Sequence, residues 1–454
     1  MTFRYGIAAM TEMPHVFLRA TCEFEGGRRQ AGSAADNLPP KWFKKDPAQD
    51  FASEIDEMVE VIVHAQELAL SLGPAPNLFS FWRSLWNGTG EWASANGIPP
   101  LLAHFGTSLV ERAVIDAFCR SRGQTFSSAL RTNSFGILLG DIHRELAGSS
   151  PGDWLPARPE ARLFARHTVG LSDPLSEGEI GPSERLDDGL PQSLESAIAA
   201  YGLRHFKLKI GKSDGIPRLR QIAAVLARCA PSDFQVSLDG NEGFTSVAEL
   251  AAFWDEVVRE PALAEIRRRL LFIEQPFHRD IALTDQIGEL ARAWPGRPQI
   301  VIDESDAEFS SLPRALELGY AGTTHKNCKG VFKGVANACL MAYHRRRQPG
   351  HWSYTGEDLV NIGPVALLQD LAVQAALGVT SVERNGHHYF AGLSFWPRGV
   401  QRHVLAHHPD LYQASRDGWP TLRIEGGTLS AESVSAAPFG VGFDFRPEEV
   451  ARPI

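Results

Sequence analysis

Five consecutive strand-like segments in the middle of this chain each end in charge: Phe206-Lys207-Leu208-Lys209-Ile210, Val236-Ser237-Leu238-Asp239-Gly240-Asn241, Phe272-Ile273-Glu274-Gln275-Pro276, Val301-Ile302-Asp303-Glu304-Ser305 and Thr324-His325-Lys326. The charges recur at steps of 32, 35, 29 and 23 residues (207 to 239, 239 to 274, 274 to 303, 303 to 326). A strand, its crossover helix and the turns between take about 30 residues, so the recurrence predicts successive βα units. Short apolar strands alternating with longer amphipathic segments are the pattern of a parallel sheet or barrel.

Extending the pattern gives eight strands, at Leu163–Val169, His205–Ile210, Phe234–Asp239, Leu270–Glu274, Gln299–Asp303, Ala321–Lys326, near Gly350–Tyr354 and near Val379–Glu383. Eight strands suffice to close an α/β barrel. Helices are expected at Ser193–Tyr201, Ile216–Arg228, Val247–Arg259, Thr284–Trp294 and Pro364–Leu377. Before the barrel, Val16–Thr21 reads as a strand, Gly26-Gly27-Arg28-Arg29 as a turn, and Ile55, Met58, Val59, Ile62 and Val63 mark the buried stripe of a helix, with a second helix over 100–120. This predicts an α+β domain over 1–150, a catalytic barrel over 160–400, and a segment over 401–454 that returns to the first domain.

The balance of 45 Lys+Arg against 54 Asp+Glu, a net charge of -9, argues against a nucleic-acid or anionic-membrane binder. Charges such as Glu67 and Asp370 interrupt every apolar stretch before the roughly 20 residues a membrane span needs. Met1–Gly6 lacks a charged segment followed by an apolar one, so a cytoplasmic protein is expected. Five scattered cysteines without a Cys-x-x-Cys pair fit reduced thiols.

In a barrel the groups that do chemistry stand at the C-terminal ends of the strands. Adjacent strands lie about 4.8 Å apart, so Asp239, Glu274 and Asp303 are expected within one coordination sphere. Three carboxylates so close raise one another's pKa unless a cation neutralises them. Mg²⁺, with Mn²⁺ as a substitute, takes such oxygen ligands and keeps positions open for water or substrate. Lys207 and Lys209, two residues apart on one strand, face the same way, and Lys326 lies on the other side of the carboxylates. A metal flanked by lysines suits proton abstraction next to a carboxylate. Taken singly, each motif has a plainer reading: Lys-x-Lys as a solvated strand edge, Asp-Gly-Asn as a turn. Their joint order along the chain is what carries the argument.

At these residues the chain resembles the enolase superfamily, and within it the muconate lactonizing enzyme-like members of the mandelate racemase/muconate lactonizing enzyme family. The resemblance implies a modified barrel of (β/α)7β type under an α+β capping domain. It implies Lys209 as an acid/base, Lys326 as the lysine of the opposite face, Asp239, Glu274 and Asp303 as metal ligands, and Asn241 and Glu304 in supporting positions. The text after Lys326, Asn327-Cys328-Lys329-Gly330, departs from the family's usual Pro and Gly-Gly, which makes Lys329 the alternative second lysine. The chain is also longer than expected, with part of the excess between Ala147 and Arg162 and part between Ser172 and Gln192.

The resemblance further implies a lid over the barrel mouth, here 26–46, whose Arg28, Arg29, Lys41, Trp42, Phe43, Lys44 and Lys45 suit an anionic substrate. Glu383, at the end of strand eight, is a candidate contact for a substrate amine or hydroxyl, whereas loop packing is the expectation for His387 and His388. The expected function is metal-dependent removal of the proton α to the carboxylate of a small substrate, followed by racemisation or epimerisation, cycloisomerisation or β-elimination, in a homo-oligomer. Mandelate racemase-like or acid-sugar dehydratase chemistry, which relies on a strand-seven histidine paired with a strand-six aspartate, is disfavoured: strand six offers His325 and no Asp, and His351 stands at the start of its segment. A Schiff-base aldolase barrel and a non-catalytic metal-binding barrel are the remaining alternatives.

Overall fold

The computed structural model describes residues 3–5, 8–211, 215–288, 290–348, 350 and 352–452. Eight parallel strands close into a barrel: Arg162–Val169, His205–Lys209, Gln235–Asp239, Leu270–Glu274, Ile300–Ile302, Gly322–His325, Ser353–Gly356 and Ser381–Arg384, numbered one to eight below. Closure is explicit in the register, because strand eight pairs with strand one through Ser381↔Phe164 and Arg384↔His167.

The helices follow from their sequences. In Val247–Arg259, Ser246 caps the first turn by accepting from the Glu249 N–H (3.2 Å), and Leu250, Phe253 and Val257 supply the buried face. Leu194–Tyr201 starts on Ser193 and stops at Gly202, whose φ of 62° is a left-handed C-cap. Two expectations need correction. The segment Thr284–Trp294 is not one helix; single turns at Arg279–Ala282 and Leu290–Ala293 flank a turn in which the Thr284 hydroxyl donates to the Ile281 carbonyl (2.9 Å) and accepts from the Gln286 N–H (3.3 Å). A side chain that binds nearby backbone in this way competes with the helix. Strand seven is Ser353–Gly356, so its end lies at Gly356-Glu357 rather than near Tyr354, and His351 falls outside the described residues.

The first domain packs a two-stranded hairpin, His15–Phe24 with Arg28–Asn37, against the helices Phe51–Ser71, Leu78–Asn96 and Pro100–Arg122. Where the first and third helices cross, a Cβ on Gly106 would stand 2.1 Å from the Val61 carbonyl oxygen, so only glycine permits the approach. The third helix is buried almost throughout and carries charge into the domain boundary. Arg112 binds Asp36 (2.9 Å), which in turn accepts from Asn361 (2.9 Å) in the loop after strand seven. Glu111 accepts from the Val331 and Phe332 N–H groups (2.9 and 2.7 Å), so a carboxylate of the first domain caps the barrel helix Val331–Arg347.

The C-terminal segment first adds Thr428–Ser430 antiparallel to strand one. It then reaches the first domain, where the Phe445 ring packs 5.0 Å from that of Phe17 and its carbonyl accepts from Arg19. Among the described residues, no helix is long and apolar enough to cross a membrane.

Candidate active site

The register at the C-terminal mouth sets the site. Lys209 lies opposite Asp239, Asp239 opposite Glu274, and Glu274 opposite Val301, two residues before Asp303. Strand two's alternation turns both Lys207 and Lys209 toward these carboxylates. The strand ends then break sharply, with positive φ at Asn241 (44°), Glu242 (61°) and Gln275 (32°). Such conformations persist only where surroundings impose them, and here they turn the chain at the ends of strands three and four, beside Asp239 and Glu274. The Asn241 N–H and side-chain amide donate to the two Asp239 oxygens (2.9 and 3.2 Å). The Gln275 side chain accepts from the Asp303 N–H (2.7 Å) and donates to Ser305 Oγ (2.7 Å), tying strand four to strand five.

Each lysine has a defined place. Lys209 donates to Asp239 Oδ2 (2.7 Å) and Lys326 to Asp303 Oδ2 (2.6 Å), on opposite flanks of the carboxylate row. Lys329 also reaches Asp303, through Oδ1 (2.8 Å), and donates to the Thr324 carbonyl (3.1 Å). Lys326 lines the cavity and Lys329 does not. Lys207 lies innermost, 2.8 Å from Glu274 Oε1, 2.7 Å from Glu357 Oε2, 3.1 Å from Asp239 and 3.3 Å from Glu383.

Glu383 lines the cavity and accepts from Thr168 Oγ1 (2.6 Å) and Asn385 (3.2 Å). Glu304 lines it too, with Oε2 buried and unpartnered. His387 and His388 are buried beside His167, packed under the mouth. His325 is turned toward the helix layer against Gly334 and hydrogen-bonds Asn327 (3.0 Å).

Lys41, Trp42 and Lys45 of the lid line the cavity. Lys45 donates to the Asn241 carbonyl (2.5 Å) and pairs with Glu242 (2.9 Å), and the Lys326 ammonium sits 4.4 Å from the centre of the Trp42 indole. Arg279, paired with Glu242, donates to the Trp42 and Phe43 carbonyls (2.9 and 2.8 Å). Arg28 is not brought to the site: it is exposed at the turn of the hairpin, nine residues of strand from Asn37, or about 30 Å at 3.4 Å per residue. Lys44 pairs with Glu57 (2.6 Å), and Arg29 with Glu23 (2.9 Å).

Three participants went unnamed in the sequence reading. Glu357 and Asp358 follow strand seven directly, and placing that strand too early hid them; a polar pair closing Tyr354-Thr355-Gly356 was the available signal. Arg166, inside strand one, is fully buried and pairs with Glu357. An arginine in the middle of an apolar strand was the signal there.

Electrostatics mark the cluster as short of positive charge. Burial, reinforced by Glu357, Asp239 and Asp303, pushes the Glu274 carboxyl well above the usual range despite Lys207. Burial likewise raises Glu357 to about 8 and Glu304 to about 7. Asp303 goes the other way, held well below its ordinary value because Lys326 and Lys329 outweigh burial. For Lys326 burial is outweighed by Asp303 and Glu304, and for Lys207 by its four carboxylates, so both are kept as ammonium.

As the side chains stand, no three His, Cys, Asp or Glu groups among the described residues close on one point as metal ligands would. Ammonium, hydroxyl or backbone donors engage both oxygens of Asp239, both of Asp303 and Oε1 of Glu274. Glu274 Oε2, however, is buried without a partner. Hard oxygen donors, one of them orphaned, in a cluster that its lysines do not fully neutralise fit a hard divalent cation in charge and chemistry.

No family model and no curated protein matches the chain. Solved structures do. An L-Ala-D/L-Glu epimerase from Bacillus subtilis, in a substrate-liganded complex, aligns over 95% of this chain and 92% of its own at 14% identity, with a TM-score of 0.53. An enolase from Bradyrhizobium complexed with magnesium and mandelic acid aligns over 99% and 92% at 12% identity and 0.55. A mandelate racemase/muconate lactonizing family protein from Azoarcus sp. EbN1 aligns over 93% and 88% at 16% and 0.54. At such identities the likeness is one of fold: a closed (β/α) barrel with a capping domain, as in enolase-superfamily structures.

Proposed function

We propose that this chain is an enolase-superfamily enzyme that uses Mg²⁺ to remove the proton α to the carboxylate of a small substrate. The resulting enediolate goes on to racemise or epimerise, cycloisomerise or β-eliminate. The observation that carries this reading is the placement of Lys209 and Lys326 on opposite flanks of Asp239, Glu274 and Asp303. Asp239, Glu274 and Asp303 would hold the metal, which when bound supplies positive charge against the enediolate.

The chain's own residues divide the proton work. Lys326, kept as ammonium beside Asp303, delivers a proton; Lys209, on the other flank, takes one. Taking from one face and returning to the other inverts a stereocentre, and in an elimination Lys326 protonates the leaving group instead. Lys207 and Glu383 line the floor and orient the substrate's polar groups. The cavity of 50 Å³ has room for a few waters only, so substrate entry lifts Trp42 off Lys326. A Schiff base at Lys326 is a weaker reading because an amine nucleophile needs a lowered pKa, and Lys326 is pushed up by Asp303 and Glu304.

The test is deuterium incorporation from D₂O, with Mg²⁺, over amino acids, dipeptides, acyl-amino acids and sugar acids. Exchange α to a carboxylate, lost in Lys209→Ala and on chelation, is expected. Exchange that survives both treatments, or its absence across the whole library, overturns the reading.

A further inference from the structure

The other end of the barrel is open. A cleft of 690 Å³ enters at the N-terminal ends of the strands, and its walls include Arg166, His205, Arg345, Arg346, Trp352 and Tyr354. In barrels of this kind the interior is filled by bulky branched side chains. Here Ser353, Thr355 and Ser381 stand on strands seven and eight where such residues would close the end.

No Asp or Glu lines the cleft among the described residues, so Arg345 and Arg346 at its rim face it without a counter-charge from its walls. Arg166 is the inner one. Its two terminal nitrogens are engaged by Thr355 (2.8 Å), the Gly356 carbonyl (2.8 Å) and Glu357, while its Nε is buried with no partner. Arg166 has no exposed surface and its charge is met by Glu357, so it forms the inner wall of the cleft, and the cations open to a ligand are those at the rim. At the rim, Arg346 is fixed by the Asp153 carbonyl (2.8 Å) and by the Trp154 ring (4.6 Å), and Arg345 donates to the Trp352 carbonyl (3.3 Å). The remaining wall is largely apolar, aromatic at Trp352 and Tyr354 and aliphatic at Leu155, Ala338, Ala342 and Leu377.

From this geometry we propose that the N-terminal cleft is a second binding site, for a small aromatic carboxylate whose anionic group meets Arg345 and Arg346 and whose ring lies against Trp352 and Tyr354. Arginine forks suit carboxylates, aromatic walls suit a flat apolar body, and the lack of acidic lining removes the repulsion an anion would meet. The site is separate from the carboxylate-lined mouth, and the inference does not depend on the reaction proposed there.

Benzoate is the probe, followed by tryptophan fluorescence and calorimetry on the full chain, with benzyl alcohol and inorganic phosphate beside it. Benzoate is expected to bind the wild type and Lys209→Ala equally and to lose tenfold or more in affinity in Arg345→Ala, an exposed position whose replacement leaves the fold intact. Benzyl alcohol is expected to bind at least tenfold more weakly. No benzoate binding at millimolar concentration overturns the proposal. So does binding that Lys209→Ala abolishes and Arg345→Ala spares, which would place benzoate in the upper mouth. Phosphate binding as tightly as benzoate overturns the aromatic part.

Discussion

The two mouths of this barrel are built on opposite principles from the same eight strands. At the C-terminal mouth, lysines and carboxylates interlock so fully that only 50 Å³ stays open under the lid. At the N-terminal mouth, arginines and aromatics surround 690 Å³ without an acid among the lining residues. Buried charges must be partnered, so the upper mouth closes on itself; the lower one, walled by hydroxyls and exposed arginines, does not. Arg166 lies between them, its terminal nitrogens holding Glu357 beneath Lys207 and its side chain forming the inner wall of the cleft.

Removing a charge from the interlocked mouth is the most severe way to test this contrast. Asp303→Ala leaves Lys326 and Lys329 buried without their carboxylate, and a loss of about 3–5 kcal/mol in denaturant unfolding is expected; a change under about 1 kcal/mol would mean that the mouth is not interlocked. Lys209→Ala is next: α-proton exchange should fall at least about 100-fold, roughly 2.7 kcal/mol of activation free energy, with benzoate affinity unchanged. Equal damage to exchange from Arg345→Ala would erase the distinction between the mouths. Arg166→Met, which touches both, should cost less, about 1–3 kcal/mol in the same unfolding experiment, because Glu357 keeps Lys207; a cost equal to that of Asp303→Ala would make Arg166 part of the interlock itself.

Acid is the mildest probe, because its effects oppose one another: it charges buried histidines, while Glu274, Glu304 and Glu357, raised by burial, favour the folded chain as the pH falls. His205 at the lower mouth and His325 behind the upper one are held neutral by burial, with pKa about 4 against an ordinary 6.5, and His104 and His387 lie at about 3. Below pH 6.5 the unfolded chain therefore takes up protons that the folded chain refuses. Stability from these groups is complete above 6.5 and drains away as the pH falls toward 4. Between about pH 7.5 and pH 5 the melting temperature of His205→Gln should fall less, or rise more, than that of the wild type by a few degrees; the same pH dependence in both would show that this ring charges without unfolding.

What could be read in the chain alone follows from where charge sits relative to apolar runs. Lys209, Asp239, Glu274 and Asp303 each close a hydrophobic stretch, Lys326 follows at the spacing of the next βα unit, and strand geometry brings them together without further information. Strand seven, Ser353-Tyr354-Thr355-Gly356, has no such stretch, so Glu357 and Asp358 stayed hidden behind it. Arg166 was silent because a charge inside a strand normally reads as the solvent face, and only barrel closure turns it inward. Arg28 erred in the other direction: its local charge resembled that of Lys45, but the length of the paired hairpin, which local composition does not encode, carries it to the far end. The cleft was invisible for a related reason, being made by small residues scattered over strands seven and eight.

Glu111 has a consequence for how such a molecule can change. Its carboxylate completes the first turn of a helix that belongs to the other domain, so the two domains share one piece of secondary structure across their boundary. A chimera that kept this barrel and borrowed another protein's cap would expose two amide donors at the base of the segment bearing Lys326 and Lys329, unless a carboxylate came with the graft at that same helical position. The helix is inherited together with the lysines it steadies and with the carboxylate that caps it.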